Sequence, residues 1–237
     1  MKLFADDVVV VAGATGRVGR PLVGRLIEEG ARVVLISRST HEVAQGVKLV
    51  IADLSRPDDG KRVIDEAASG YGRVDAVISL AGGGTRFVPV VDSTLDDLQT
   101  SVLNNLIVAY NLFVPALRQA LRQPMQDGRR SRARFVAVTA GSSLDPQPRF
   151  GIMGSGKAGV NTLMRAIARE HKADGIVSNA VVLGGVATLE AREYLSPEDF
   201  AAAASPEEVA NILAFHASDV STGVNGELIH LNARETD

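Results

Sequence analysis

An alternation along the chain constrains the fold most. Short runs rich in β-branched residues are separated by longer stretches whose apolar residues return at helical spacing, the pattern of parallel strands joined by crossover helices. Strands are predicted at 8–12, 32–37, 48–52, 75–80, 134–139, 176–183 and 227–231, and helices near 17–29, 58–69, 93–122, 155–172 and 206–217. The fourth helix shows the period best, with Val160, Leu163, Met164 and Ile167 on one stripe. Pro115 is expected to kink or divide the third. No Pro/Gly/Ser-rich linker, repeat or low-complexity stretch interrupts the series, and 201–204 reads as a helix-favouring alanine run. With 46% hydrophobic residues, 1–237 is expected to form one domain around a single sizeable core.

Charge and composition narrow the partners. A net charge of −3 gives no global attraction to nucleic acid or membrane, so small molecules are the expected partners. The chain has no cysteine, which removes disulfides, thiolate metal sites and thiol nucleophiles. His41, His171, His216 and His230 share no metal-binding spacing, so no metal is expected. The start lacks the layout of a signal peptide and no apolar run is read as a membrane span, making a cytoplasmic location the simplest expectation. Arg129, Arg130, Arg132 and Arg134 precede a strand, at the end of the sheet opposite to where ligands bind, and are read as a solvated turn rather than a nucleic-acid contact.

The chemistry begins at the first turn. Val8–Ala12 runs into Gly13-Ala14-Thr15-Gly16-Arg17-Val18-Gly19 and then into a helical stretch. Glycines at this spacing suit a sharp strand-to-helix turn that lets a pyrophosphate reach backbone N–H groups at the positive helix end. The alternative is a tight turn with a closely packed helix. About twenty residues on, the second strand ends in Ser37-Arg38-Ser39-Thr40, with no acidic side chain to bond a ribose hydroxyl. Arg38, with Arg17, could neutralise a 2′-phosphate, which favours NADP(H) over NAD(H); otherwise both arginines simply face water.

With Lys157 added, the whole chain resembles the short-chain dehydrogenase/reductase family, including its divergent branches. Asp53-Leu54 looks like the family's adenine-contacting pair, and Leu80-Ala81-Gly82 its Asn-Ala-Gly motif, with Leu80 in place of Asn. Asn105-Leu106 with Asn111 resembles the helix of the catalytic Asn, and Lys157-Ala158-Gly159 that of the ribose-binding Lys. Residues 178–188 resemble the sixth strand and its loop, so Gly184, Val186 and Thr188 are implied cofactor contacts, and Thr222 to Leu228 resembles the last loop and strand. The resemblance implies a doubly wound Rossmann fold, α/β, with seven mostly parallel strands in the order 3-2-1-4-5-6-7. It also implies a homo-dimer or homo-tetramer through helices 93–122 and 155–172.

The resemblance breaks where the chemistry should be. The family's proton-donating Tyr, four before the Lys, is Met153, and the Ser thirteen before that is Ala140. In the enoyl-thioester reductases the Tyr stands seven before the Lys; here that residue is Phe150. Ser142 and Ser143 could return a hydroxyl through a shifted loop. Of the three tyrosines, Tyr71 is read as structural, Tyr110 as core or interface, and Tyr194 as the plausible replacement donor. Ordinary ketone reduction is therefore expected to be slow. Three functions remain: an NADP(H)-dependent oxidoreductase with altered proton delivery on a small organic substrate, a catalytically silent dinucleotide sensor or partner protein, and a non-redox dehydratase, cyclase or lyase reusing the pocket. The loops at 84–92 and 189–204 would form that pocket.

Overall fold

The computed structural model describes residues 2–188, 190–193 and 196–231. Seven parallel strands form one sheet: β1 (Val8–Ala12), β2 (Arg32–Ser37), β3 (Lys48–Ile51), β4 (Ala76–Ser79), β5 (Ala133–Ala140), β6 (Ile176–Leu183) and β7 (Leu228–Leu231), in the order 3-2-1-4-5-6-7. Every pairing is parallel, so each strand is reached by a crossover. The central strands are buried on both sides, which explains why Val8–Ala12 is a continuous apolar run rather than an alternating one.

The two faces are filled differently. Val8, Val10, Val77, Phe135 and Ala137 point toward α2 (Pro57–Tyr71), α4 (Val108–Arg122) and α5 (Gly151–Glu170). Val9, Val11, Ile78, Val136 and Val181 point toward α1 (Gly19–Glu28) and α7 (Pro206–Ala217). Short helices α3 (Leu95–Ser101) and α6 (Pro197–Ala202) complete the layers. Their starts are set by capping hydroxyls: Thr94 accepts from the Asp97 N–H and Ser196 from the Asp199 N–H. The alanine run at 201–204 thus only overlaps the end of a capped helix.

The third predicted helix is divided, but not at Pro115. A wide π-helical turn, Val102–Ile107, separates α3 from α4 and contains Asn105, while α4 continues through Pro115. Proline leaves the Asn111 carbonyl without its helical donor. Gly60 of α2 lies so close to that carbonyl that a Cβ there would stand 1.8 Å from the oxygen. The stretch Leu95–Arg122 contains an 18-residue window with a mean hydropathy of 1.3, enough by length and composition for a membrane span, where the sequence reading saw none. Its apolarity serves the core, since Val108, Leu112, Phe113 and Ala116 are buried against the sheet.

The arginine cluster is also not a solvated turn. Arg134 is 1% exposed; its Nη2 lies 2.5 Å from Asp7 Oδ2 and its Nε donates to the Ala217 carbonyl at 2.8 Å. Arg129 pairs with the same Asp7, and Arg132 donates to the carbonyls of Gln123 and Asp174. Desolvation raises the Asp7 carboxyl to about 6, even with two guanidiniums beside it. These arginines fasten the amino ends of the strands together; their acidic partners are too distant in sequence to be seen there.

Candidate active site

The chain winds outward from β1 in both directions, to β2 and β3 on one side and to β4 on the other. Such a reversal opens a crevice at the carboxyl ends of the strands. A crevice of about 790 Å³ occupies that place, within the range of roughly 300–1,000 Å³ usual for small-molecule sites. Four loop groups line it: Gly13, Thr15 and Gly16 after β1; Ser37, Arg38, Ser39 and His41 after β2; Asp53, Leu54 and Ser55 after β3; and Leu80 to Gly84 after β4.

Glycine is required at the first of these. Gly13 has φ 77°, and a Cβ there would stand 2.9 Å from the Ala81 N and the Leu80 carbonyl carbon. The β1 and β4 turns therefore touch through bare backbone. Gly19 belongs to the turn's support rather than the crevice wall, packed on Ala14 at the helix start, and Val18 is half-buried beside it. Arg17 and Arg38 are exposed, with Arg38 in the lining. Asp53 accepts from the Ser55 N–H at 3.0 Å, and this bond, more than any other influence, holds its carboxyl below the usual value. Asn111 Nδ2 reaches the Leu54 carbonyl at 2.8 Å and so ties the β3 loop to α4.

A second cluster joins the glycine loop after β4 to the two helices. Asn105 Oδ1 accepts from the Gly83 N–H at 2.9 Å, while its Nδ2 donates to the Ser101 carbonyl at 2.9 Å. Gly82, at φ 146°, faces both polar tips: a Cβ there would lie 2.5 Å from Lys157 Nζ and 2.6 Å from Asn105 Oδ1. Gly82, Asn105 and Lys157 are thus brought together from three separate stretches. Lys157 is 7% exposed, its Nζ donates to the Val138 carbonyl at 3.0 Å, and burial lowers its pKa to about 8. The other predicted contacts, Gly184, Val186 and Thr188, lie on the loop after β6, outside the crevice lining. Thr188 Oγ1 there accepts from the Ala191 N–H at 3.3 Å.

The two serines after Ala140 differ in their freedom. Ser143 donates to the Ala140 carbonyl at 2.6 Å and accepts from Asn161 at 2.7 Å, so its hydroxyl is already committed. Ser142 Oγ is buried with no partner among the described residues, as are Ser79 Oγ and Thr139 Oγ1 at the ends of β4 and β5. Unpaired buried hydroxyls are costly and gather here at the end of the sheet that carries the crevice. Met153 is half-buried on the face of α5 that also carries Lys157. Tyr71 packs against the core, whereas Tyr110 is 48% exposed and so is not a core residue. Tyr194 lies outside the described residues. Sequence reasoning did not single out Ser39, His41, Leu103, Asn104 or Val108, which also line the crevice. Their only signal was position after a strand end or on the helix of Asn105.

The family model described as enoyl-(acyl carrier protein) reductase matches residues 13–233, nearly the whole fold including both glycine loops and Lys157. The chain belongs to the short-chain dehydrogenase/reductase family. This dehydrogenase/reductase is 25% identical to a short-chain type dehydrogenase/reductase of Picea abies, over 95% of this chain and 90% of that one. It is 26% identical to an NADPH-dependent aldehyde reductase-like chloroplastic protein of Arabidopsis thaliana, over 97% and 94%. Its fold matches a short-chain type dehydrogenase/reductase from Mycobacterium ulcerans with a TM-score of 0.87 at 22% identity, covering 100% of this chain and 94% of that one. It is therefore an oxidoreductase of this family's type, on a single-domain Rossmann-like fold.

Proposed function

We propose that this chain is an NADP(H)-dependent oxidoreductase with atypical proton delivery, acting on a small organic substrate. The observation that carries the reading is the crevice itself. Its phosphate end has backbone where Gly13 lacks a side chain, and its β2 end presents Arg38, Ser39 and His41 with no acidic residue. These residues fit a 2′-phosphorylated dinucleotide: Gly13, Thr15 and Gly16 for the pyrophosphate, Arg38 with Arg17 for the 2′-phosphate, and Asp53-Leu54 with Ala81-Gly82 along the adenosine. The NADPH dependence in the name of the Arabidopsis relative agrees with this preference.

When bound, the dinucleotide supplies hydride chemistry. At the reacting end, Lys157 and Asn105 orient the nicotinamide ribose, Ser142 holds a substrate heteroatom, and Met153 excludes water without donating a proton. A ketone would leave an alkoxide here with no acid to meet it, and general acid help is worth roughly 10²–10⁴ in rate. Acceptors that do not build a naked alkoxide, an activated C=C or an iminium, suit the site better. The protein acts in the cytoplasm in this reading, as a homo-dimer or homo-tetramer through α4 and α5. Tyr110 is exposed on α4, the helix that would meet its copy.

A second reading, a dinucleotide-binding sensor without turnover, draws on the loss of all three phenol and hydroxyl positions at Met153, Ala140 and Phe150. NADPH oxidation against a panel of ketones, enones and imines separates the two. The oxidoreductase reading expects turnover with an enone or imine and little with ketones. A silent panel alongside tight NADPH binding would replace it with the sensor or with a non-redox enzyme reusing the pocket.

A further inference from the structure

Two loops meet at the start of α5 through aromatic rings. Phe87, between β4 and α3, lies against Phe150, the residue that precedes α5, with ring centroids 4.8 Å apart and planes tilted by 36°. Arg149 fastens the pair, its Nε donating to the Phe87 carbonyl at 3.0 Å. The Arg149 backbone sits at φ 75°, a left-handed conformation that non-glycine residues rarely adopt and that gathers at ligand clamps. Val90 closes the same junction, since a Cβ on Gly151 would lie 3.3 Å from its Cγ2. Neither ring belongs to the core: Phe87 is 41% exposed, Phe150 is partly exposed, and both buried clusters exclude them.

Phe150, Met153 and Lys157 follow one another at the start of α5 with spacings of three and four residues, which puts them on one helical face. At a rise of about 1.5 Å per residue, the ring pair stands roughly 10 Å along the axis from Lys157 and about one turn beyond Met153. A molecule reacting near Met153 would extend toward the rings. With Ala140 and Met153 offering no hydrogen bond and Ser142 offering a single one, most of its binding must come from apolar and aromatic area.

We propose that Phe87 and Phe150 form the subsite for the body of the substrate, which is a planar acceptor conjugated directly to an aromatic ring. The substrate class rests on the oxidoreductase reading above. An aryl enone would gain hydride at its β-carbon and a proton from water at its α-carbon. It becomes the saturated ketone as the reduced dinucleotide is converted to its oxidised form.

The test is a binding titration by ligand-observed NMR, using the full chain saturated with NADP⁺ and two probes, 4-phenylbut-3-en-2-one and pent-3-en-2-one. The phenyl compound is expected to bind about tenfold more tightly than its methyl counterpart. Phe87→Leu and Phe150→Leu should remove most of that preference and leave NADPH affinity unchanged. Phe215→Leu, which alters an exposed ring on α7, should leave the preference intact. Equal affinity for the two enones, no binding of either, or a preference that survives both substitutions would overturn the proposal, even if the variants melt earlier. NADPH oxidation is read separately. An aryl preference in binding without turnover keeps the subsite and removes the redox assignment instead.

Discussion

Replacing Lys157 with methionine should stabilise the fold while destroying its purpose. The ammonium is 7% exposed and accounts for one donated bond, to the Val138 carbonyl, and its pKa falls to about 8 from an ordinary 10.5 because of burial. At about 1.4 kcal/mol per unit, this drop amounts to roughly 3 kcal/mol of folding free energy lost at pH 7, where both states carry the charge. Methionine removes that cost but leaves the carbonyl without its donor, worth about 1 kcal/mol, so a net gain of about 2 kcal/mol is expected. The sign with pH follows from the direction of the shift. Between about 8 and 10.5 the unfolded lysine keeps its proton while the folded one has released it, so wild-type stability rises through this window relative to the variant. The advantage of Lys157→Met should therefore shrink above pH 8 and vanish by about pH 10.5. Urea unfolding of both proteins at pH 7.0, about 9 and about 10.5 measures it. A difference that does not change with pH, or a variant less stable at pH 7, would refute the reasoning. The same variant should lose dinucleotide affinity, a stability cost retained for binding.

Four further outcomes follow from the geometry. Met153→Tyr should raise ketone reduction by about a hundredfold, read as NADPH oxidation, and no gain would show that the missing phenol does not limit the reaction. Ser142→Ala should lower turnover by about tenfold and raise the melting temperature, because it removes a buried hydroxyl with no partner among the described residues. Ser143→Ala should do the reverse, costing about 1 kcal/mol for its two bonds and leaving kcat near wild type; steady-state kinetics with thermal melts distinguishes them. Arg134→Met leaves Asp7 with Arg129 as its remaining guanidinium and takes one donor from the Ala217 carbonyl, and should cost about 3 kcal/mol in chemical denaturation, whereas a solvated arginine would cost almost nothing.

The sheet was legible because its strands are continuous apolar runs separated by helical periods, and each observed strand lies within two residues of its predicted ends. The start of α5 was not. It begins at Gly151 rather than near 155, because Gly151, Gly154 and Gly156 have low helix propensity. Packing forms that turn instead: a Cβ at Gly154 would meet the Ser142 carbonyl oxygen, and Ser101 Oγ donates to the Ile152 carbonyl at 2.7 Å. The glycine turn was legible from its spacing between strand and helix, and Asn105 and Lys157 through the resemblance of the motifs around them; the structure brings both of their polar tips to Gly82. His41, Asn104 and the Phe87–Phe150 junction were not legible, since each depends on loops meeting across long separations in sequence. Arg134 was misread for the same reason: a charge run says nothing of Asp7 and Asp219 waiting beside it.

The central claim is that the crevice between β1 and β4 grips a 2′-phosphorylated dinucleotide. Titration calorimetry of NADPH and NADH against the wild-type chain and Arg38→Ala tests it most directly. The account predicts NADPH bound at least about tenfold more tightly than NADH, with Arg38→Ala removing most of the difference and leaving NADH nearly unaffected. No heat with either nucleotide would contradict the account, and equal affinities would remove the phosphate role assigned to Arg38.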